Sequence, residues 1–151
     1  LQLETCNLLD ILAASLETTV IPDGVSVNLK EENLEINCDK HQLGTVFDNL
    51  LLNAIQAVGT QGSISIRMQD RKNYVLIQII DSGPGVPTKL SKTIFEPLFT
   101  TKQKGTGLGL ASCFRIVTQH NGTISVSNDP TTFSVKLPKN LTDDILIPAN
   151  F

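Results

Sequence analysis

Leu8, Leu9, Leu12 and Leu16 recur at helical spacing, and Pro22-Asp23-Gly24 then breaks the pattern, which predicts a first helix over residues 3–16. Val25, Val27 and Leu29 alternate with polar residues, as do Leu34 and Ile36, so two strands joined as a hairpin through Glu31-Glu32-Asn33 are expected next. Asp39 followed three residues later by Gln42 has the spacing of a capping box, opening a long helix to Val58 with Leu43, Val46, Phe47, Leu50, Ala54 and Ala57 along one side. Ile64, Ile66 and Met68, then Val75, Ile77 and Ile79, give a second strand pair ending at Asp81. A loop-rich stretch leads to a helix predicted from Gly107 to His120, capped by Thr106 and stopped by Asn121-Gly122. Two last strands are expected at Thr123–Ser127 and residues 132–137, and residues 139–151 read as a tail. Strands in antiparallel pairs separated by helices favour an α+β two-layer sandwich over βαβ units with a parallel sheet.

Composition narrows what such a domain can do. The chain has 151 residues, 40% of them apolar and 18% charged, enough for one core. No run of about 18 apolar residues and no export signal occurs, so neither a membrane span nor direct membrane contact is expected. A net charge of −3 supplies no basic field for nucleic acid, so an anion must be held by local geometry. Cys6, Cys38 and Cys113 are too far apart in sequence for a zinc knuckle and read as reduced thiols, which fits the cytosol or the cytoplasmic part of a membrane-anchored protein.

Four stretches carry candidate chemistry. On the long helix Asn49, Asn53 and Gln56 fall at i, i+4 and i+7, a polar stripe at the margin of the apolar face. Amide oxygens there suit a hard cation such as magnesium, which also takes water and nucleotide phosphate oxygens; a solvated helix face is the plainer alternative. After the apolar run 75–80 comes Asp81-Ser82-Gly83-Pro84-Gly85-Val86-Pro87. It is either a tight turn or a carboxylate placed to accept the exocyclic amine of adenine, with Gly83 and Gly85 letting the base approach the backbone. Residues 94–102 combine the anchors Phe95 and Phe99 with Thr100, Thr101 and Lys102, as in a lid that donates hydrogen bonds to phosphates, or in an ordinary loop packed by phenylalanines. Gly105-Thr106-Gly107-Leu108-Gly109-Leu110 runs into a helix, whose unpaired N–H groups and positive dipole end suit phosphate. Glycine costs up to about 1 kcal/mol relative to alanine in a helix, so three within five residues point to a close approach of backbone and ligand. The spacing fits neither the dinucleotide fingerprint nor a P-loop.

In this order and spacing the four stretches resemble the ATP-binding catalytic domain of sensor histidine kinases, within the gyrase, chaperone, histidine kinase and mismatch-repair ATPase superfamily. Asn49 to Ala57 resembles the N box, Asp81 to Gly85 the G1 box, Phe95 to Lys102 the F box and Gly105 to Leu110 the G2 box, and residues 3–138 are covered. The runs Asn-Leu-Leu-Leu-Asn-Ala-Ile-Gln-Ala and Phe-Glu-Pro-Leu-Phe-Thr-Thr-Lys are most similar to the nitrogen-regulation type.

The resemblance implies a Bergerat-type α+β sandwich, a mixed and mostly antiparallel sheet with helices on one face. It implies Asn53 as chief magnesium ligand with Asn49 beside it, Asp81 on the adenine, and Lys102, Thr106 and the backbone of Gly107 to Leu110 on the phosphates, with Gly83, Gly85, Val86, Thr100 and Thr101 among the further expected ATP contacts. Asn53 and Lys102 are the expected catalytic residues, and Gln56, Ala57, Phe95 and Gly105 complete the expected ATP site.

Gln56 stands where many relatives carry a basic residue, leaving Lys102 or Lys104 to compensate, and His120-Asn121-Gly122 replaces His-Gly-Gly. Hydrolytic superfamily members carry a glutamate four residues before the magnesium asparagine, where this chain has Asn49. Transfer of the γ-phosphoryl to an external nucleophile is therefore favoured over water attack.

In histidine kinases the acceptor histidine lies on a separate dimerisation hairpin that this sequence lacks, and His41 and His120 sit in no acceptor motif. The implied partners are that dimerisation domain and, through it, a response regulator; the parent is expected to be a homodimer and this fragment a monomer. The alternatives are a serine kinase of the superfamily and a non-catalytic interaction module. Asp143-Asp144 beside Ile145-Leu146-Ile147 offers a docking segment, against the plainer expectation of a frayed terminus.

Overall fold

The structure, a computed structural model, describes residues 1–30, 32–96 and 109–141. Within them the order is β1 (Glu4–Asn7), α1 (Leu8–Thr18), β2 (Gly24–Leu29), β3 (Glu35–Cys38), α2 (Lys40–Val58), β4 (Gln61–Asp70), β5 (Tyr74–Asp81), two 3₁₀ turns (Thr88–Leu90 and Thr93–Phe95), α3 (Gly109–Gln119), β6 (Thr123–Ser127) and β7 (Thr131–Pro138). A five-stranded sheet runs β2-β4-β5-β7-β6, parallel between β2 and β4 and antiparallel elsewhere. The α+β architecture with a mixed sheet is the expected one.

The period-2 pattern fixes which face of the sheet is covered. In β5, Val75, Ile77, Ile79 and Asp81 are buried while the residues between them are half-exposed. Register carries this face sideways: Ile77 lies opposite Met68 and Val135, and Ile79 opposite Ile66 and Phe133. Each such side chain contributes roughly 1.5–3 kcal/mol on full burial. The matching helix stripe on α2 is Leu43, Val46, Phe47, Leu50, Leu51 and Ala54, all at most 1% exposed, so helix and sheet close one continuous core.

Three local expectations change. The first helix starts at Leu8 rather than residue 3, because Asn7 caps it by accepting from the Leu9 amide at 2.9 Å while Glu4–Asn7 pairs as a strand with β3. The expected hairpin of β2 and β3 does not form. β2 joins the main sheet in parallel with β4, across a connection that contains α2, while β3 pairs antiparallel with β1 in a separate two-stranded sheet. Alternation reveals a strand but not its partner. The two 3₁₀ turns lie in what the sequence leaves as loop.

The helix ends are as the residue types require. Gln42 N donates to Asp39 Oδ1 at 3.1 Å, and Gly59 ends α2 at φ +74°. Asn121 adopts φ +56° after α3, and a side chain at Gly122 would lie 2.2 Å from the Lys136 carbonyl oxygen. Past β7 the chain still packs on the domain: Leu141 is buried, and its carbonyl accepts from Asn37 Nδ2 at 3.3 Å. Residues 142–151, including Asp143 and Asp144, lie outside the described residues. No helix among the described residues is long and apolar enough to cross a membrane.

Candidate functional site

Asp81 owes its position to the register. Continuing the alternation of Val75, Ile77 and Ile79, its side chain takes the covered face at the end of β5, level with Ile64 on one side and Thr131 on the other. It is 2% exposed, and its Oδ1 accepts from the Gly83 amide at 2.8 Å, which fixes the carboxylate plane. The loop then turns back across α2. A side chain at Gly83 would lie 2.9 Å from the Ala57 carbonyl oxygen and 2.8 Å from Asp81 Oδ1, so only glycine allows this approach. Gly83 thus sits between the strand-end carboxylate and the end of the asparagine helix, close to both.

Gly85 requires its identity for two reasons. Its φ is +88°, and a side chain there would lie 2.7 Å from Asn128 Oδ1 and 3.4 Å from Thr131 Oγ1. Val86, half-buried against the core, donates its amide to Asn128 Oδ1 at 2.9 Å, and its carbonyl accepts from Asn128 Nδ2. Ser82 closes the other side: its amide donates to the Ser63 carbonyl and its hydroxyl accepts from the Ser63 amide.

On α2, Asn49, Asn53 and Ala57 are half-buried and Gln56 is exposed. Asn49 Nδ2 donates to the Thr45 carbonyl at 3.0 Å, which turns Oδ1 away from its own helix. That oxygen meets the first residue of α3, where a side chain at Gly109 would lie 3.0 Å from it. Asn49 and the first residue of α3 therefore face one another. Leu110, the next residue, is half-buried against the core. Phe95 is buried and stacks against Phe133 edge-on at 6.2 Å and against Phe114 at 6.3 Å, anchoring the segment that leads into residues 97–108. Phe99, Thr100, Thr101, Lys102, Lys104, Gly105, Thr106, Gly107 and Leu108 lie outside the described residues.

Asn128 and Thr131 escape sequence reading. Ser127-Asn128-Asp129-Pro130 looks like any polar turn, and Thr131 like the first residue of a strand. Only the register with Asp81 and the fold of the loop bring them to the site. His120 has its place too: its Nδ1 donates to the Ile116 carbonyl at 2.8 Å, and its Nε2 accepts from the Asp39 amide at 3.0 Å, joining the end of α3 to the start of α2. Burial, against weaker upward pulls from the Ile116 bond and the Asp39 charge, holds its pKa below the ordinary value of 6.5. All three cysteines are free and buried, and burial pushes the Cys113 thiol up to about 12.

Comparison with known proteins agrees with this geometry. Residues 38–141 match the family described as histidine kinase-, DNA gyrase B-, and HSP90-like ATPase. The chain is 46% identical over 111 residues to sensor histidine kinase ZraS of Escherichia coli strain K12, covering 72% of this chain and 24% of that protein. It is 36% identical over 138 residues to sporulation kinase A of Bacillus subtilis strain 168, covering 88% and 23%. The chain thus spans about a quarter of the length of these relatives. Among solved structures, the catalytic domain of histidine kinase ThkA superposes with a TM-score of 0.80 at 30% identity, covering 93% of this chain and 100% of that one. From the matched family and the shared fold, this chain belongs to the histidine kinase-, DNA gyrase B- and HSP90-like ATPases, as an ATP-binding catalytic domain of the sensor histidine kinase type.

Proposed function

We propose that the chain binds Mg–ATP between α2, the Asp81–Pro87 loop and the start of α3, and presents the γ-phosphoryl group to a histidine on a separate dimerisation hairpin. The observation that carries this reading is the double approach to α2: Gly83 onto Ala57 and Gly109 onto Asn49, each at a distance that a side chain would close. Two glycine-bearing backbones brought against one amide-bearing helix make a cradle for a ligand rich in acceptor oxygens.

Each residue then has a task. Asp81, its plane fixed by the Gly83 amide, accepts from the exocyclic amine of adenine, and Gly85 and Val86 form the adjoining backbone wall. Asn53 and Asn49 supply neutral oxygen ligands, a donor set that fits magnesium; when bound, the ion neutralises charge on the β- and γ-phosphates. The orientation of Asn49 Oδ1 toward α3 agrees with such a role. Gly109 and Leu110 bring the α3 N-terminus to the phosphate end, where Lys102, Thr100, Thr101, Thr106 and the Gly105 to Leu108 backbone are assigned as further donors. Gln56, on the same helix, is assigned to the site as well. An amide at Asn49 takes no proton from water, so the reading is transfer to an external histidine rather than hydrolysis.

The solved complex of histidine kinase ThkA with response regulator protein TrrA supports a response regulator as the eventual partner here. The three free thiols support a cytoplasmic setting. Titration calorimetry with the Asn53→Ala variant tests the site: magnesium-dependent ATP affinity is expected to fall at least about tenfold, or ~1.4 kcal/mol. Wild-type affinity in that variant overturns the assignment.

A further inference from the structure

We propose that Asn128, at the β6–β7 turn, is the positioning residue that holds the nucleotide-facing loop in its adenine-accepting shape, and thereby a determinant of base selectivity. This rests on the reading of Asp81 as the adenine acceptor. The Asn128 amide pairs with both backbone groups of a single residue: Oδ1 accepts from Val86 N at 2.9 Å while Nδ2 donates to Val86 O. That is the pairing a neighbouring β-strand would provide, supplied here by one side chain. The same Oδ1 fills the space where a side chain at Gly85 would stand, 2.7 Å away, so the amide both bonds Val86 and covers the back of the left-handed Gly85.

The loop needs such a hold. Gly83, Pro84 and Gly85 contribute no side-chain hydrogen bonds, and glycine gives up more conformational freedom on ordering than any other residue. At its start the loop is tied through Asp81 Oδ1 to Gly83 N and through Ser82 to Ser63. Asn128 ties it three residues further on, from a turn that follows directly into Thr131, the residue level with Asp81 across the β5–β7 ladder. The carboxylate and the backbone wall beside it are thus referred to the same strand, β7. A base bound between them meets a preset distance, and preset geometry lowers the ordering cost of binding.

Side-chain chemistry at 128 makes the inference testable. Asn128→Ala removes both bonds. Asn128→Asp keeps an acceptor for Val86 N but turns a carboxylate toward Val86 O, which has no proton to give. Competition binding of ATP and GTP to the chain, with circular dichroism to confirm folding, is the measurement. Both variants are expected to lose roughly tenfold in ATP affinity with GTP affinity little changed, so that the ATP to GTP ratio collapses toward one. A purely structural role weakens both nucleotides together and leaves the ratio intact, and that result overturns the proposal, as does wild-type ATP affinity in both variants. Should Asn128→Ala fail to fold, the ratio in Asn128→Asp decides alone. Asp81→Asn measured in parallel separates the two readings: a normal ratio in Asp81→Asn removes the adenine assignment itself, whereas a collapsed ratio there with a normal one in both Asn128 variants removes only the role of Asn128.

Discussion

A single carboxylate illustrates how residue-level chemistry depends on a fold it does not create. Asp81 is buried to 2% exposure, which for an unengaged charge costs several kcal/mol, so its partners are set by the architecture: the Gly83 amide and, in the reading given above, the adenine amine. Replacement by asparagine keeps shape and the acceptor for Gly83 but removes the charge that favours an amine over a carbonyl. A hydrogen bond to a charged group is worth about 1.5–3 kcal/mol, so Asp81→Asn is expected to lower ATP affinity roughly ten- to hundredfold and to lower GTP affinity much less. Equal losses for the two nucleotides in competition binding would contradict the assignment. Asp81 was legible in the sequence because an apolar alternation ran into a carboxylate followed by two glycines. Asn128 was not, since nothing local distinguishes a turn asparagine that bonds its own turn from one that reaches 42 residues back to Val86.

At the scale of elements, α2 and α3 matter through their junction as much as through their faces. The capping box at Asp39 is half realised: Oδ1 accepts from Gln42 N, but the Asp39 amide donates to His120 Nε2 at the far end of α3. Sequence alone shows the Asp39–Gln42 spacing and places His120 at the end of a later helix, yet the bond between Asp39 and His120 spans 81 positions and depends on helix packing. It also makes the junction sensitive to pH. Protonated Nε2 would point a hydrogen at the Asp39 N–H, two donors face to face. Burial depresses the folded-state pKa of His120 below the unfolded 6.5, so below pH 6.5 the unfolded chain binds more protons and stability falls with pH, at a slope approaching 1.4 kcal/mol per unit for one proton. Burial raises the Asp39 carboxyl, but the Gln2 and Gln42 amides and the His120 charge outweigh it and leave its pKa lowered, so its own loss of stability comes only at lower pH. Thermal melts of His120→Gln between pH 7 and 5.5 are expected to show a flat midpoint where the wild type declines; parallel curves would show that another group titrates. The elements most poorly read from sequence, β1 and the partners of β2 and β3, are those whose identity comes from pairing across the chain rather than from any local period.

For the molecule as a whole, the site is composite: a helix from the middle of the chain, a loop after β5, the start of α3 and a turn before β7 all meet at one end of the sheet. Most of the parts were readable as motifs, but their meeting follows from sheet order β2-β4-β5-β7-β6, which sets Asp81 beside Thr131 and no sequence pattern states. Turnover further requires a phosphoryl acceptor. His120 is 1% exposed with both ring nitrogens hydrogen-bonded, so it has neither access nor a free lone pair for attack on phosphorus. His41 is exposed on the first turn of α2, but it sits in no acceptor motif. Incubated with γ-labelled ATP and magnesium, this chain is therefore expected to bind nucleotide yet carry no acid-labile label. Adding a protein that bears the dimerisation hairpin and its acceptor histidine should transfer label to that protein in trans, at a rate that drops at least about tenfold with Asn53→Ala if the amide contributes ~1.4 kcal/mol or more to the transition state. Label retained by the chain alone and abolished by His41→Gln would instead make His41 the acceptor, and would place phosphoryl transfer within the domain rather than between two.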